Sequence, residues 1–473
     1  RALSDNNKKM NHVSANILSL LGADAAIKLI GFISITFLAR TFGPEVIGLI
    51  AAAMGIFSYC NIISEAGLPI LGTRKIAGRN SASASLINKL VKTRFILTVC
   101  VFSLSTIIIF YSLSDSRLRD ITIIYLLSLF PSSLLLEWVF QGLKKITFLA
   151  WGRILSASIY LLWLLMFVRT DSSLIMIPIG WVVGVTCQAI YLWRKSLRYK
   201  EISETNLSGS IGLIKLSLPF GFASLIAQSV TQFPIIYLGI TDPEAGGVFS
   251  IAFRVIILML VVDRVFYTLF FPSITSVIKE GENKLSIYFP RIVKIVTTLT
   301  IYIGIMALIS SKQLLPLLFG KEFIESIIIF QLLVLYFIFS VLNSVFTFTL
   351  VGAKKEVVYL KSLFLGAVGF FGIMLLPGPA PSSHLAAIGL VLFQLISLFV
   401  MLREVQSFID FSVFRAILTP ILSGASIMIL LVMSNSFFQG FSFIIALIIS
   451  PIILYYSVGI TQEDKNYALK AIS

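Results

Sequence analysis

The most constraining feature of the chain is a recurring stretch of about twenty apolar residues, the length that crosses a hydrocarbon core of about 30 Å as a helix. Fourteen such stretches can be read, at 14–38, 46–66, 95–113, 121–142, 147–168, 174–193, 212–237, 247–275, 295–311, 326–350, 362–378, 384–402, 416–433 and 441–459. Inside lipid every backbone polar group needs an internal partner, so runs of this length must be helices. The expected fold is therefore an all-α polytopic membrane protein of about 14 transmembrane helices. The longest polar connection, 71–94, is too short for a soluble domain.

Composition agrees. Apolar residues make up 58% of the 473 and charged residues only 12%, with a mean hydropathy of +0.98. Soluble domains run near 25% charged, so too little polar surface exists to cover a water-soluble fold. The net charge of +15 would suggest nucleic acid in a soluble protein. In a polytopic chain it marks basic cytoplasmic loops, and no nucleic-acid partner is expected. Of the 37 Lys and Arg, one set of loops holds only Arg40, Arg117, Arg119, Arg169, Lys312 and Lys321. The opposite loops, the N-terminal segment and the C-terminal tail hold most of the rest. The positive-inside rule then places both termini in the cytoplasm.

Cys60, Cys100 and Cys187 lie in apolar runs, and His12 and His384 are far apart in sequence, so no metal site and no cofactor is expected. The polar segment before residue 13 lacks the cleavage site of a secretory signal.

Two stretches repeat. FGPEVIGLIAAAM (42–54) aligns with TDPEAGGVFSIAF (241–253) at a spacing of 199, matching Pro44 with Pro243, Glu45 with Glu244, Gly48 with Gly247 and Ala53 with Ala252. Each follows an odd-numbered span and opens an even-numbered one. Spans 1–6 and 7–12 then form two six-helix lobes of the same orientation, as in transporters built from parallel repeats. The expected domains are 1–200, 201–405, and 406–473 with the two extra C-terminal helices. A chance match between two helix starts is the alternative, since Pro and Glu both favour the first helical turn.

Charges within lipid are costly and mark functional positions. Asp24, Lys28, Glu65, Glu137, Arg153, Lys215, Arg254, Asp263 and Arg264 fall inside the expected spans. Counting 1.5 Å per residue puts Lys28 and Arg264 near mid-depth and Arg254 in the outer half. Glu65 and Lys215 fall near the cytoplasmic end, and Glu137 and Arg153 in the inner third. Asp24 and Lys28 share a helix face in the favourable order. Lys28, Arg254, Arg264, Arg153 and Lys215 are the candidate anion-binding groups, and Gln228 and Gln232 the candidate polar substrate contacts, with Gln331, Asn343 and Gln394 further polar partners. Asp24, Glu65, Glu137 and Asp263 are the candidate ion-coupling acids. For Glu65, Lys215 and Arg153 a structural ion pair or a snorkelling side chain is an equal reading. Gly180 and Gly184 form a GxxxG pair suited to close helix packing. Trp138, Trp151 and Trp193 read as interface anchors.

The turn FGPEVIG (42–48), EAGLPILGTRKIAG (65–78) after span 2 and EWVFQGLKK (137–145) closing span 4 resemble the polysaccharide transporter family. These are the Wzx-type flippases of lipid-linked oligosaccharides, in the superfamily that includes multidrug and toxin extrusion transporters and lipid II flippases. Glu65 stands where the family commonly has Asp. The resemblance implies movement of an undecaprenyl-pyrophosphate-linked sugar from the inner to the outer leaflet of the bacterial cytoplasmic membrane by alternating access. The partners it implies are that lipid-linked oligosaccharide, membrane lipids, H+ or Na+ as coupling ion, and the polysaccharide polymerase machinery. Cation or drug extrusion is the competing function. An enzyme is not expected, because no long loop could hold a water-accessible catalytic site.

Overall fold

The computed structural model describes residues 2–78, 81–169, 173–201, 209–264, 282–375 and 382–435, with 266, 274, 277, 278 and 451. Side chains of the first helix are described from residue 24 onward. Nine of the described helices are long and apolar enough to cross a membrane. The protein is an all-helical multi-pass membrane protein. The fourteenth expected span, 441–459, lies outside the described residues apart from a single position.

The first helix, α1 (Ala2–Glu65), contains both of the first two expected spans. Gly43, at φ 73° and ψ −174°, breaks it into two arms, and Pro44 opens the second. Only glycine adopts that dihedral freely, and proline at the first position forfeits no helical hydrogen bond. After α1 comes α2 (Leu68–Ile76), which buries Leu68, Leu71, Gly72 and Ile76. The next helix, α3 (Ala84–Ser112), begins well before residue 95. The stretch 71–94, expected as a loop, is therefore mostly helical. Its charges interrupt the apolar run, but Leu86, Leu90, Arg94 and Thr98 recur every four residues on a buried face.

The fourth expected span, 121–142, is broken into α4 (Ser116–Leu127), α5 (Leu129–Ser133) and α6 (Glu137–Gly142). Pro131 lacks a backbone donor, and residues 134–136 are not helical. Next come α7 (Ile146–Phe167), α8 (Met176–Ser196) and α9 (Ser210–Thr241), the last containing Pro219 and Pro234. Gly180 meets the ring of Trp163 and Gly184 the backbone of Ser156, the close packing expected of the GxxxG pair. A two-residue parallel ladder joins Ala82–Ser83 to Lys200–Glu201.

The chain forms two compact units, Arg1–Gly247 and Val248–Ser473. Helix α9, which the repeat assigns to a second lobe, packs with the first unit against α1. The first unit's core gathers Leu68, Leu71, Ile76, Leu86, Leu90, Trp138, Phe140 and Leu192. Trp138 is 2% exposed and seated against Gly72, so it is a core residue and not an interface anchor. A Cβ at Gly72 would lie 2.7 Å from its Cζ3 atom. Trp151, at 60% exposure, remains on the surface.

The second unit contains the remainder of α10 (Pro243–Met259), then α11 (Glu282–Phe319), α12 (Ser326–Gly352), α13 (Glu356–Met374), α14 (Ser382–Gln406) and α15 (Thr419–Asn435). Phe289, Phe346 and Phe411 form an aromatic cluster within it.

Three local features of the first unit recur. At the Pro44 and Pro243 helix starts, a Cβ on Gly48 would overlap the Pro243 carbonyl, and a Cβ on Gly247 would overlap that of Pro44. The aligned residues thus meet reciprocally. In QGLKK and VGAKK, Lys144 and Lys354 hold φ of 57° and 60°. The next amides donate to Phe140 and Leu350 oxygens at 2.8 Å each, the same left-handed helix cap. Finally, Gln188 donates to Glu137 at 2.7 Å, while Asn343 donates to Gln394 Oε1 at 2.6 Å, with 206 residues separating both Glu137 from Asn343 and Gln188 from Gln394.

Candidate functional site

The buried charge of the first unit is organised around two carboxylates. Glu65 ends α1, where Ala66 and Gly67 turn the chain at φ 47° and 75°. Arg94 reaches it from α3, its Nη2 donating to Glu65 Oε1 at 2.9 Å. The Arg94 side chain is 3% exposed and that of Glu65 32%, so the acid faces open space and the base does not. Asn61, one turn earlier on α1, donates from Nδ2 to the same oxygen at 3.4 Å.

Arg94 has a second task. Its Nη1 donates to Leu135 O at 3.2 Å and its Nη2 to Ser132 O at 3.0 Å, both at the break in span 4. Trp193 Nε1 donates to Leu134 O at 2.9 Å. Carbonyls freed by a broken helix must find partners in a membrane protein, and these two side chains supply them.

The helix resumes at Glu137. Arg153 on α7 grips this carboxylate with two bonds, Nε to Oε1 at 3.0 Å and Nη2 to Oε2 at 2.6 Å. Gln188 on α8 adds its 2.7 Å bond to Oε1. Such a bidentate pair fixes both groups. Arg94 lies in the field of both Glu65 and Glu137, and Asp24 in the field of Arg153. Asp24, Glu65, Arg94, Glu137 and Arg153 therefore form one electrostatic network. The equivalent position in the second unit carries the neutral Asn343–Gln394 pair.

Beside Glu65 a cavity of about 440 Å³ opens, lined by Ile62, Glu65, Gly67, Pro69, Ile70, Gly221, Ser224 and Gln228. Its floor is tight because α9 crosses the turn at Gly67. A Cβ at Gly221 would sit 3.0 Å from Ala66 C, and one at Gly67 2.7 Å from Gly221 N.

The structure thus joins Glu65 with Gln228, and Glu137 with Arg153. Lys215 is exposed on α9. Gln232 lies on α9 beside Gly55, its Oε1 3.7 Å from where a Cβ would stand. Lys28 and Asp24 are half-buried on the first arm of α1. Asp263 accepts a hydrogen bond from Ser344. The described span holding Arg254 and Arg264 runs Pro243–Arg264. In that span Arg254 is half-buried and Arg264 is exposed. Asn343 and Gln394 are 6% and 7% exposed and bonded to each other, and Gln331 donates to Ser311 at 3.1 Å. Gln331 is half-buried. No group of three potential metal ligands occurs among the described residues. Arg94 stands one residue outside the expected third span, so the count of charges within spans passes it by. The four-residue recurrence that ends on it is the signal that finds it.

The arrangement is a multi-pass helical bundle with paired charges inside its first unit. Residues 13–278 match the family described as polysaccharide biosynthesis protein, and the chain belongs to that family. No curated protein matches it by sequence. Among solved structures it is similar to the lipid II flippase MurJ in an inward closed conformation, with TM-score 0.74 and 13% identity over 94% of this chain and 99% of that one. It is also similar to an inward-facing multidrug resistance MATE family transporter of the MOP superfamily (TM-score 0.58, 14% identity, 82% and 94% of the two chains). A third is a MOP superfamily transporter from Pyrococcus furiosus with reversed binding-pocket polarity (TM-score 0.53, 14% identity, 82% and 96%). These likenesses show the fold.

Proposed function

We propose that the protein is a flippase for an undecaprenyl-pyrophosphate-linked oligosaccharide, the repeat unit of an O-antigen, capsule or exopolysaccharide. The observation that carries this reading is membership of the polysaccharide biosynthesis family in a chain with a lipid flippase's fold along nearly its whole length. Two lobes at 1–200 and 201–405, with 406–473 appended, alternate access between the leaflets of the bacterial cytoplasmic membrane, both termini being cytoplasmic. The substrate's pyrophosphate is anionic. Lys28, Arg254 and Arg264, placed in apolar helical segments, supply counter-charge; Arg153 and Lys215 are secondary, the former held by Glu137. Membrane potential assists, since moving an anion out of an inside-negative cell releases roughly 2.3 kcal/mol per charge per 100 mV. H+ or Na+ exchange at Asp24, Glu137 or Asp263 is the complementary drive, Glu65 being held by Arg94.

The test is surface polysaccharide from a deletion strain carrying Lys28→Ala, Arg254→Ala or Arg264→Ala, normalised to protein in the membrane. Each variant is expected to lose polysaccharide while inserting normally. Arg→Lys is expected to restore function where charge alone matters and not where a bidentate guanidinium grips phosphate. Wild-type polysaccharide from all three alanine variants would refute the cationic pathway.

A further inference from the structure

We infer that the cavity beside Glu65 is a sugar subsite: it takes a neutral pyranose ring of the cargo, and neither the pyrophosphate nor a cation. This inference rests on the flippase reading and assigns one part of the cargo to one place.

Charge is the first argument. Glu65 is the one charged residue among the described residues lining the cavity, and its Oε1 is already paired with Arg94 at 2.9 Å. The pair sums to zero. A pyrophosphate would find no surplus cation in the lining and would face a carboxylate. A cation would find a carboxylate whose charge is already matched from behind, so it would be desolvated with little return.

Hydrogen bonding is the second. Glu65 keeps its second carboxylate oxygen as an acceptor, and Gln228 offers both a donor and an acceptor. Ser224 donates to Phe220 O at 3.0 Å, which leaves its oxygen lone pairs toward a ligand donor. Sugar hydroxyls are donors and acceptors at once, so this mixed set satisfies them where a single-sign set would not.

Shape is the third. Pro69, Ile62 and Ile70 supply apolar wall for the C–H face of a pyranose. Gly67 and Gly221 keep the floor bare of side chains, and the crossing of α9 over the turn makes that floor backbone. The volume of about 440 Å³ lies within the range of about 300–1,000 Å³ common to small-molecule sites.

The test uses full-length protein in detergent with Cys60, Cys100 and Cys187 replaced by Ala and Ile70→Cys added at the rim, where Ile70 is 42% exposed. The reading is the rate of modification of that thiol by a neutral maleimide. The probes are methyl glycosides of a neutral hexose and an N-acetylhexosamine, inorganic pyrophosphate, tetraethylammonium and NaCl. A glycoside at twice its dissociation constant should slow labelling about threefold, since protection scales as one plus the ratio of ligand to that constant. Gln228→Leu should abolish the protection while the unprotected rate stays unchanged. Protection by pyrophosphate, tetraethylammonium or Na+ but by no glycoside would overturn the assignment, as would glycoside protection untouched by Gln228→Leu. Failure of the flippase reading shows elsewhere: a deletion strain that still makes wild-type surface polysaccharide would refute that reading whatever the labelling shows. Lost polysaccharide with no glycoside protection would leave that reading standing and refute the subsite.

Discussion

Removing one partner of the Glu65–Arg94 pair should be far from symmetric. In Glu65→Gln the guanidinium of Arg94, with its side chain 3% exposed, keeps its charge but loses its carboxylate. Stranding a buried charge this way costs about 3–5 kcal/mol. In Arg94→Met the carboxylate left behind is 32% exposed and borders the cavity, so hydration compensates it. The remaining cost is then the break in span 4. Ser132 O still accepts from Leu135 N at 3.1 Å, but Leu135 O loses the bond from Nη1. One orphaned buried carbonyl costs about 1–3 kcal/mol. The double variant removes both charges and keeps only the carbonyl penalty, so it should match Arg94→Met. The assay is the apparent melting temperature of detergent-solubilised protein, followed by loss of monodisperse material. The expected order is wild type, then Arg94→Met together with the double variant, then Glu65→Gln lowest. Additive losses in the double variant, or Glu65→Gln as stable as Arg94→Met, would refute the account.

The reciprocal crossing at Gly48 and Gly247 has no room for a side chain, so Gly48→Val or Gly247→Val should destabilise this arrangement by about 1–3 kcal/mol, seen as a lower melting temperature. A Val variant with unchanged melting temperature and unchanged surface polysaccharide would contradict it. Asn343→Leu should cost about 1–3 kcal/mol by orphaning buried Gln394 groups, more than Glu137→Gln, whose Arg153 side chain is 42% exposed and open to hydration. A larger loss in Glu137→Gln would argue against this account of burial. Cysteines placed in the segments 114–119, 169–173 and 434–440 should label from outside intact cells with an impermeant thiol reagent. Labelling at Ser83 instead would reverse the orientation.

How much of this was legible beforehand differs residue by residue. Gly48 and Gly247 were matched by sequence alone, yet that they meet is a tertiary fact, since alignment carries no distance. The QGLKK and VGAKK caps are not legible as a pair, because a left-handed lysine leaves no compositional mark. Arg94 was hidden because hydropathy treats a charge as the end of a span. A buried face can carry one charge when a partner and two carbonyls await it, and hydropathy does not see partners. Trp138 was misplaced for the converse reason: tryptophan suits both an interface and a core, and only Gly72 opposite it decides.

The sequence by itself determined that this chain lives in a membrane as a helical bundle. Hydrocarbon demands long apolar helices with internally satisfied backbones, and that demand is local, so it is written locally. It also located the chain reversal at Gly43–Pro44, where two neighbouring residues fix the dihedrals. Tertiary structure alone decided which charges are partners. Glu65 reaches Arg94 across 29 residues, Glu137 reaches Gln188 across 51, and Tyr59 reaches Ser229 across 170. Each such bond depends on helix packing that no window of sequence contains, and electrostatics inside lipid is settled over a few ångströms rather than along the chain.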